Sequence, residues 1–208
     1  SKLAPDGVFV QWTQVYGMGR DDLRTLLGTF AEVFPNVVVF SALEDTDLIM
    51  LGSREPLLPY PSDLYRRGWE GARGADLARV GLDDPHDVLS YVLMDRDAVV
   101  KLAGDAPANT DDNALIEFNA PKYLHYATSE GNIELLMEGA TYAWPLYRDD
   151  LRSAPDRAVN LLLGLGTAYE KRELQQHAAS CYVEALRRAP TDPRVIERAE
   201  RVRAWIDK

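Results

Sequence analysis

One cysteine, Cys181, and three histidines are all that this 208-residue chain holds of the side chains most used to bind transition metals. A lone cysteine excludes an internal disulfide and any multi-cysteine metal site. With no basic residue in the adjacent positions to lower its pKa, Cys181 is no nucleophile either. His86, His125 and His177 share no metal-ligand spacing, and there is no Gly-x-Ser-x-Gly elbow or phosphate-binding glycine loop. No apolar run approaches the ~20 residues that cross a bilayer. The opening SKLAPDGVFVQW lacks the basic start and apolar core of a secretory leader. The expectation is a cytoplasmic chain making no membrane contact. Positive charge is also short, with 23 Lys and Arg against 33 Asp and Glu and a net charge of −10, which argues against nucleic acid as a partner. The shortage is uneven: residues 151–208 carry 11 basic against 8 acidic residues (+3), the rest 12 against 25 (−13). An acidic body of this kind serves solubility first, the favoured reading, and steering of a cationic small molecule is the alternative.

What is present is a globular composition, 46% hydrophobic and 27% charged. Residues 7–12, GVFVQW, form an apolar run after the turn Ala4-Pro5-Asp6-Gly7 and predict a strand. Leu23, Leu26, Leu27, Phe30, Val33 and Phe34 recur at helical spacing behind Asp21 and Asp22, and Pro35 ends the pattern. Asn36–Phe40 and Asp47–Gly52 read as two more strands across the polar turn 43–46. Three strands and one helix leave a sheet face bare and an edge strand open to pairing, so the sheet is expected to continue in a preceding segment. Further on, Asp83-Asp84-Pro85 marks a helix start followed by the apolar stripe Val88, Leu89, Val92, Leu93. Ala114–Phe118 reads as a short strand or extended clamp, and residues 132–147 as a helix with Ile133, Leu136, Met137 and Ala140 on one face.

The last part of the chain holds the most specific spacing. Leu162, Leu165, Gly166, Tyr169, Ala178, Tyr182, Ala185 and Pro190 fit the 34-residue tetratricopeptide helix pair, with Leu at the first aromatic position and Tyr for Phe. Small residues at Gly166 and Ala178 let the two helices approach where they cross, and Tyr169 and Tyr182 fill the groove. Thr191-Asp192 opens a third helix, Pro193 to about Ile206, that caps the pair with Val195, Ala199, Val202 and Ile206. No second copy precedes the repeat, and one repeat cannot bury its own faces. It is therefore expected to dock on the rest of the chain, on a second copy, or on a protein partner.

The order of elements in LAPDGVFVQWTQVYGMGRDDLRTLLGTFAEVFPNVVVFSALEDTDLIMLGS resembles the last third of the Rossmann-like domain of spermidine synthases and related aminopropyltransferases. APANTDDNALIEFNAPKYL, residues 106–124, is similar to the NTDD-and-EF tail of bacterial spermidine synthase-like proteins, in which the synthase-like domain often follows a membrane segment and can end in tetratricopeptide repeats. The resemblance implies an α/β part over residues 1–127, the end of a methyltransferase-type sheet. An all-α tail over 128–208 follows, carrying one repeat at 159–192. It places Gln11 and Trp12 in the wall of an amine pocket, Gln11 bonding a substrate amine and Trp12 or Tyr16 offering an aromatic face to a cation. Gln14 stands near where true spermidine synthases carry an acid. The same strand end also reads as aromatic packing on a neighbouring loop.

Two further readings stay beside that one. Asn109, Thr110, Asp111, Asp112 and Glu117 form either a carboxylate cluster for a cation or protonated amine, or, the favoured reading, a turn capped by its own side chains. The alternating acids of a calcium loop are absent, and no metal is expected. The Gly-rich turn and strand-end acid of a nucleoside site are missing, as is the family's Asp-rich loop. The chain alone should thus bind neither decarboxylated S-adenosylmethionine nor S-adenosylmethionine and transfer nothing, although the parent family is a transferase. The competing functions are a protein-interaction or dimerisation module and, last, a hydrolase built on Asp111, Asp112 and Glu117.

Overall fold

The computed structural model describes residues 3–42, 46–57, 68–141, 143, 147, 151 and 154–206, with side chains as far as Val202. It is a mixed α/β protein whose chain forms two compact units, one of residues 1–58 and 91–141, the other of residues 59–90 and 142–208.

The first unit is built on a four-stranded sheet of β1 (Val8–Gln14), β2 (Asn36–Ala42), β3 (Asp47–Ser53) and β4 (Val92–Asp95), in the order β1-β3-β2-β4. Each neighbouring pair is antiparallel. Because β1 and β2 both oppose β3, they run parallel to each other, and α1 (Arg20–Val33) makes the crossover that a parallel pair requires. The strands differ in burial more than in composition. Val37, Val38 and Val39 of β2 are all buried, as befits an interior strand. In β1 the equally apolar Val8, Phe9, Val10 and Trp12 remain exposed on both faces. Val15 N–H donates to Thr46 O at 2.9 Å. By antiparallel alternation the outward backbone groups of this edge then belong to Val8, Val10, Trp12 and Gln14.

Leu23 and Leu27 of α1 are fully buried with Val39, Leu48 and Met50 beneath them. Each such side chain contributes about 2 kcal/mol of hydrophobic stabilisation. Two further helices, α4 (Arg96–Ala103) and α6 (Ser129–Gly139), add Val99, Leu135 and Leu136 to the same core. The last of these packs with the sheet although its sequence neighbours the helical tail. It also ends sooner than its stripe suggests: Ala140 turns extended at φ −62, ψ 140. Residues 142 and 144–146 of that expected helix lie outside the described ones.

Two other expectations are corrected. Val92 and Leu93 do not prolong the helix stripe. α3 (Pro85–Leu89) is capped at Ser90, whose Oγ donates to Asp87 O, and Val-Leu-Met then pairs with β2 from Phe40↔Val92 to Val38↔Asp95. Tertiary pairing outweighs the helical spacing of four residues. Ala114–Phe118 is no strand either, since α5 (Leu115–Asn119) starts from Ala114 in the left-handed region at φ 42, and Asn109 Oδ1 takes the Ile116 N–H.

The second unit is helical among its described residues. α2 (Ala72–Ala78) and α3 accompany a hairpin of α7 (Pro155–Lys171) and α8 (Gln175–Arg188), followed by α9 (Pro193–Ile206). Leu162, Leu165, Gly166, Tyr169, Ala178, Tyr182 and Ala185 are buried, while Pro190 is exposed just beyond the end of α8. At Gly166 a Cβ would stand 2.2 Å from the Tyr182 ring, so the backbone of α7 lies directly on that ring. Val195 and Val202 of α9 are buried, Ala199 is partly so, and the Ile206 side chain lies outside the described residues.

Candidate functional site

In the first unit the face of β1 that carries Phe9 and Gln11 opens into a groove of about 550 Å³. Its apolar wall is an aromatic triad: Phe9 stacks on Phe34 with centroids 5.6 Å apart, and Phe30 meets Phe34 at 4.9 Å. Phe30 and Phe34 arrive from α1 and the residue after it, and Met50 from β3 closes the floor. Polar groups come from two distant segments, Gln11 from β1 and Asn109 with Glu117 from the NTDD stretch and α5. That second segment is tied to α1 where Asn109 N–H donates to Thr29 Oγ1 at 2.8 Å. Asn109 Nδ2 stands 3.4 Å from Glu117 Oε2, at the long end of a hydrogen bond. An apolar cavity with a few convergent polar groups is the usual form of a small-molecule site. This donor set, one carboxylate and two amides, suits an apolar ligand bearing a cationic or amide N–H group. A second groove of about 530 Å³ runs between α1 and the end of α4. Its charged lining, Asp21, Arg24 and Asp105, includes the pair Arg24–Asp21 at 3.2 Å, so less is left free to meet a ligand.

The structure does not gather all the residues expected to share a pocket. Gln11 lines the groove, but its Nε2 donates to Trp12 O at 2.6 Å. Trp12 alternates to the opposite face and is 53% exposed. Gln14 ends the strand half-buried, and Tyr16 follows it exposed. Asp111 and Asp112 are exposed and outside the groove, in a turn where Asn113 Oδ1 accepts the Thr110 N–H and Asn113 N–H reaches Thr110 Oγ1. The side chains of this stretch thus cap their own backbone. Among the described residues no three His, Cys, Asp or Glu side chains come together as a metal site.

Sequence reading missed the residues that hold the loop after β1. Asn132, fully buried on α6, donates Nδ2 to Val15 O at 2.6 Å and to Met18 O at 2.9 Å. Thr128 Oγ1 accepts Gly17 N–H, and buried Asp22 accepts Gly19 N–H and the Asn119 amide. Tyr123 lies so close over Gly19 that a Cβ there would meet its hydroxyl at 2.4 Å. The available signal was an Asn beside Ile133 and one turn before Leu136 on an apolar helix face, a position where an amide without a partner is costly.

In the second unit, Lys171 Nζ bridges Asp83 at 2.9 Å and Asp87 at 3.0 Å. Burial works against the Lys171 charge, but the hydrogen bonds and the charges of the two carboxylates outweigh it and hold its pKa above the ordinary lysine value. Asp84 is held below the usual carboxylate range: burial opposes this, and the His86 ring 3.0 Å away, with the His86 N–H, overrides it. Burial drives the Cys181 thiol strongly upward, so it stays protonated and inert.

No family model matches this chain, and no curated protein and no solved structure matches it. No helix among the described residues is long and apolar enough to cross a membrane.

Proposed function

We propose that the chain is the C-terminal region of a spermidine synthase-like protein, related to aminopropyl transfer in polyamine metabolism, and that it performs no transfer alone. The observation that carries this reading is the sheet. A strand, a crossover helix and a parallel strand, with β3 inserted antiparallel between them, supports reading the sheet as the end of a Rossmann-like methyltransferase-type one. An edge strand as apolar as the interior strand β2 supports the same view. In this reading the groove with Gln11 and Glu117 faces the amine. The residues do not fit the nucleoside cofactor. Gly17 and Gly19 N–H groups of the loop after β1 already bond Thr128 and Asp22 and form no cradle for a ligand. Titration calorimetry with putrescine and spermidine should show binding that Glu117→Gln weakens, while decarboxylated S-adenosylmethionine and putrescine together yield no product. Product formation, or binding indifferent to Glu117, overturns the reading. An immunoblot of the source cells should show a band well above 23.3 kDa.

A second reading is favoured by the α7–α8 hairpin, where Gly166 seats the Tyr182 ring as a tetratricopeptide-type pair would. The helical tail then acts as a protein-interaction or dimerisation surface. Light scattering on the purified chain tests it, and a strict monomer counts against self-association.

A further inference from the structure

We propose that the face of α7 in the second unit is a docking surface for an acidic peptide with carboxylates one helical turn apart, and that residues 83–90 are its built-in occupant. The proposal deepens the second reading above by naming the class of partner. Gly164, Ala168 and Lys171 recur at i, i+4 and i+7, a trough of small side chains ending in a cation. Small residues alone mark no site; here the trough is filled. His86 of α3 packs on Gly164 so closely that a Cβ there would stand 2.5 Å from the imidazole ring. Lys171 takes both Asp83 and Asp87, four residues apart, and Arg172 donates to the Ser90 carbonyl at the far end of the same short helix. The surface thus reads two carboxylates at one end of a helical turn and a C-terminal carbonyl at the other.

Charge complementarity sets the sign of the occupant, since the docked segment is acidic and residues 151–208 carry +3. The occupant leaves part of the surface open, as a groove of about 320 Å³ whose far wall on α9 presents Arg194, Glu197 and Arg198, the last paired with Glu170 at 3.2 Å, so that Arg194 is the cation offered to a ligand. Arg194 pairs with Asp192 at 2.7 Å and donates to the Asn160 side chain of α7 at 3.1 Å, both in an exposed setting where a ligand carboxylate exchanges readily. A tethered segment competes at high effective concentration, so an outside peptide binds weakly until the tether's own contacts are reduced.

The test uses the full chain and a fluorescent synthetic peptide of residues 82–90, followed by anisotropy. Asp83 is 62% exposed and releases one contact without touching the core, so the Asp83→Asn chain should bind the peptide about two- to fivefold tighter than the parent chain. A peptide carrying Asp83→Asn and Asp87→Asn should not bind, and Lys171→Glu should abolish binding with the helical circular dichroism retained. Should Lys171→Glu unfold, the exposed Arg194→Glu gives the same reading, as a severalfold loss. No binding to any chain, equal binding to the parent and Asp83→Asn chains, or equal binding by the Asn peptide overturns the proposal. These outcomes leave self-association, which light scattering reads separately, untouched.

Discussion

Gly166→Ala separates two opposed effects. Within an exposed helix, replacing Gly by Ala gains about 1 kcal/mol. Here the added Cβ would stand 2.2, 2.6 and 2.8 Å from Cε1, Cζ and Cδ1 of Tyr182. Ordinary carbon contact needs about 3.5–4.0 Å, so more than an ångström has to be opened. Tyr182 is fully buried, so relief requires its ring to leave a packed position or α7 to separate from α8. Overpacking costs about 1–3 kcal/mol, and an overlap with a rigid ring belongs at the upper end, for a net loss near 2 kcal/mol after the helix gain. Cys181, fully buried on α8, is a local probe, because its burial-raised pKa keeps it unreactive while the pair is closed. Thiol labelling of Gly166→Ala should run roughly 5- to 30-fold faster than in the parent chain, alongside a lower urea midpoint. Adding Tyr182→Leu removes the ring and should recover part of the loss as a coupling of about 0.5–3 kcal/mol. Slower labelling and a stability gain of about 1 kcal/mol, the outcome of helix propensity alone, would refute the close crossing.

Asn132→Ala strips the side-chain amide that donates to Val15 O and Met18 O and should destabilise the first unit by about 2–3 kcal/mol. Asn132→Asp keeps the shape but sets an acceptor against two carbonyls; urea unfolding should show it no more stable than the alanine variant, and a parent-like midpoint would contradict the assigned bonds. Burial, with the Glu170 charge opposing ionisation, pushes the Tyr182 phenol up from 10.0 to about 12. Its neutral form therefore stabilises the fold fully below pH 10, and that contribution is lost as pH rises toward 12. Alkaline difference spectra should show a late-titrating tyrosine component that Tyr182→Phe diminishes. Burial first, then the Arg172 charge, lowers the pKa of His177, so its contribution is present above pH 6.5 and declines as pH falls below it. His177→Gln should flatten the acid limb of urea-derived stability.

Local chemistry was legible wherever neighbouring residues agreed with each other. The stripe from Leu23 to Phe34 closed by Pro35 is α1, and Asp84-Pro85 starts α3 with Asp84 as its cap. The spacing from Leu162 to Ala185 marks buried positions of two packed helices. The failures share one cause. Val92–Asp95 and Leu115–Asn119 are short, and in so few residues a helical and an extended pattern cannot be told apart by period. A pairing with β2 decides the first, and a hydrogen bond from Ile116 to Asn109 decides the second.

Composition and spacing alone thus determined an acidic chain with a sheet-forming first part, a helical hairpin near its end, and no cysteine scaffold, because those properties depend on residue type and local period. Only tertiary structure decided that Gln11 and Glu117 share a groove while Trp12 faces away, that Asn132 holds the loop after β1, and that Lys171 reaches back to Asp83 and Asp87. Such meetings span 80 residues or more of chain. They follow from which faces bury each other, a property of the whole core rather than of any window of sequence.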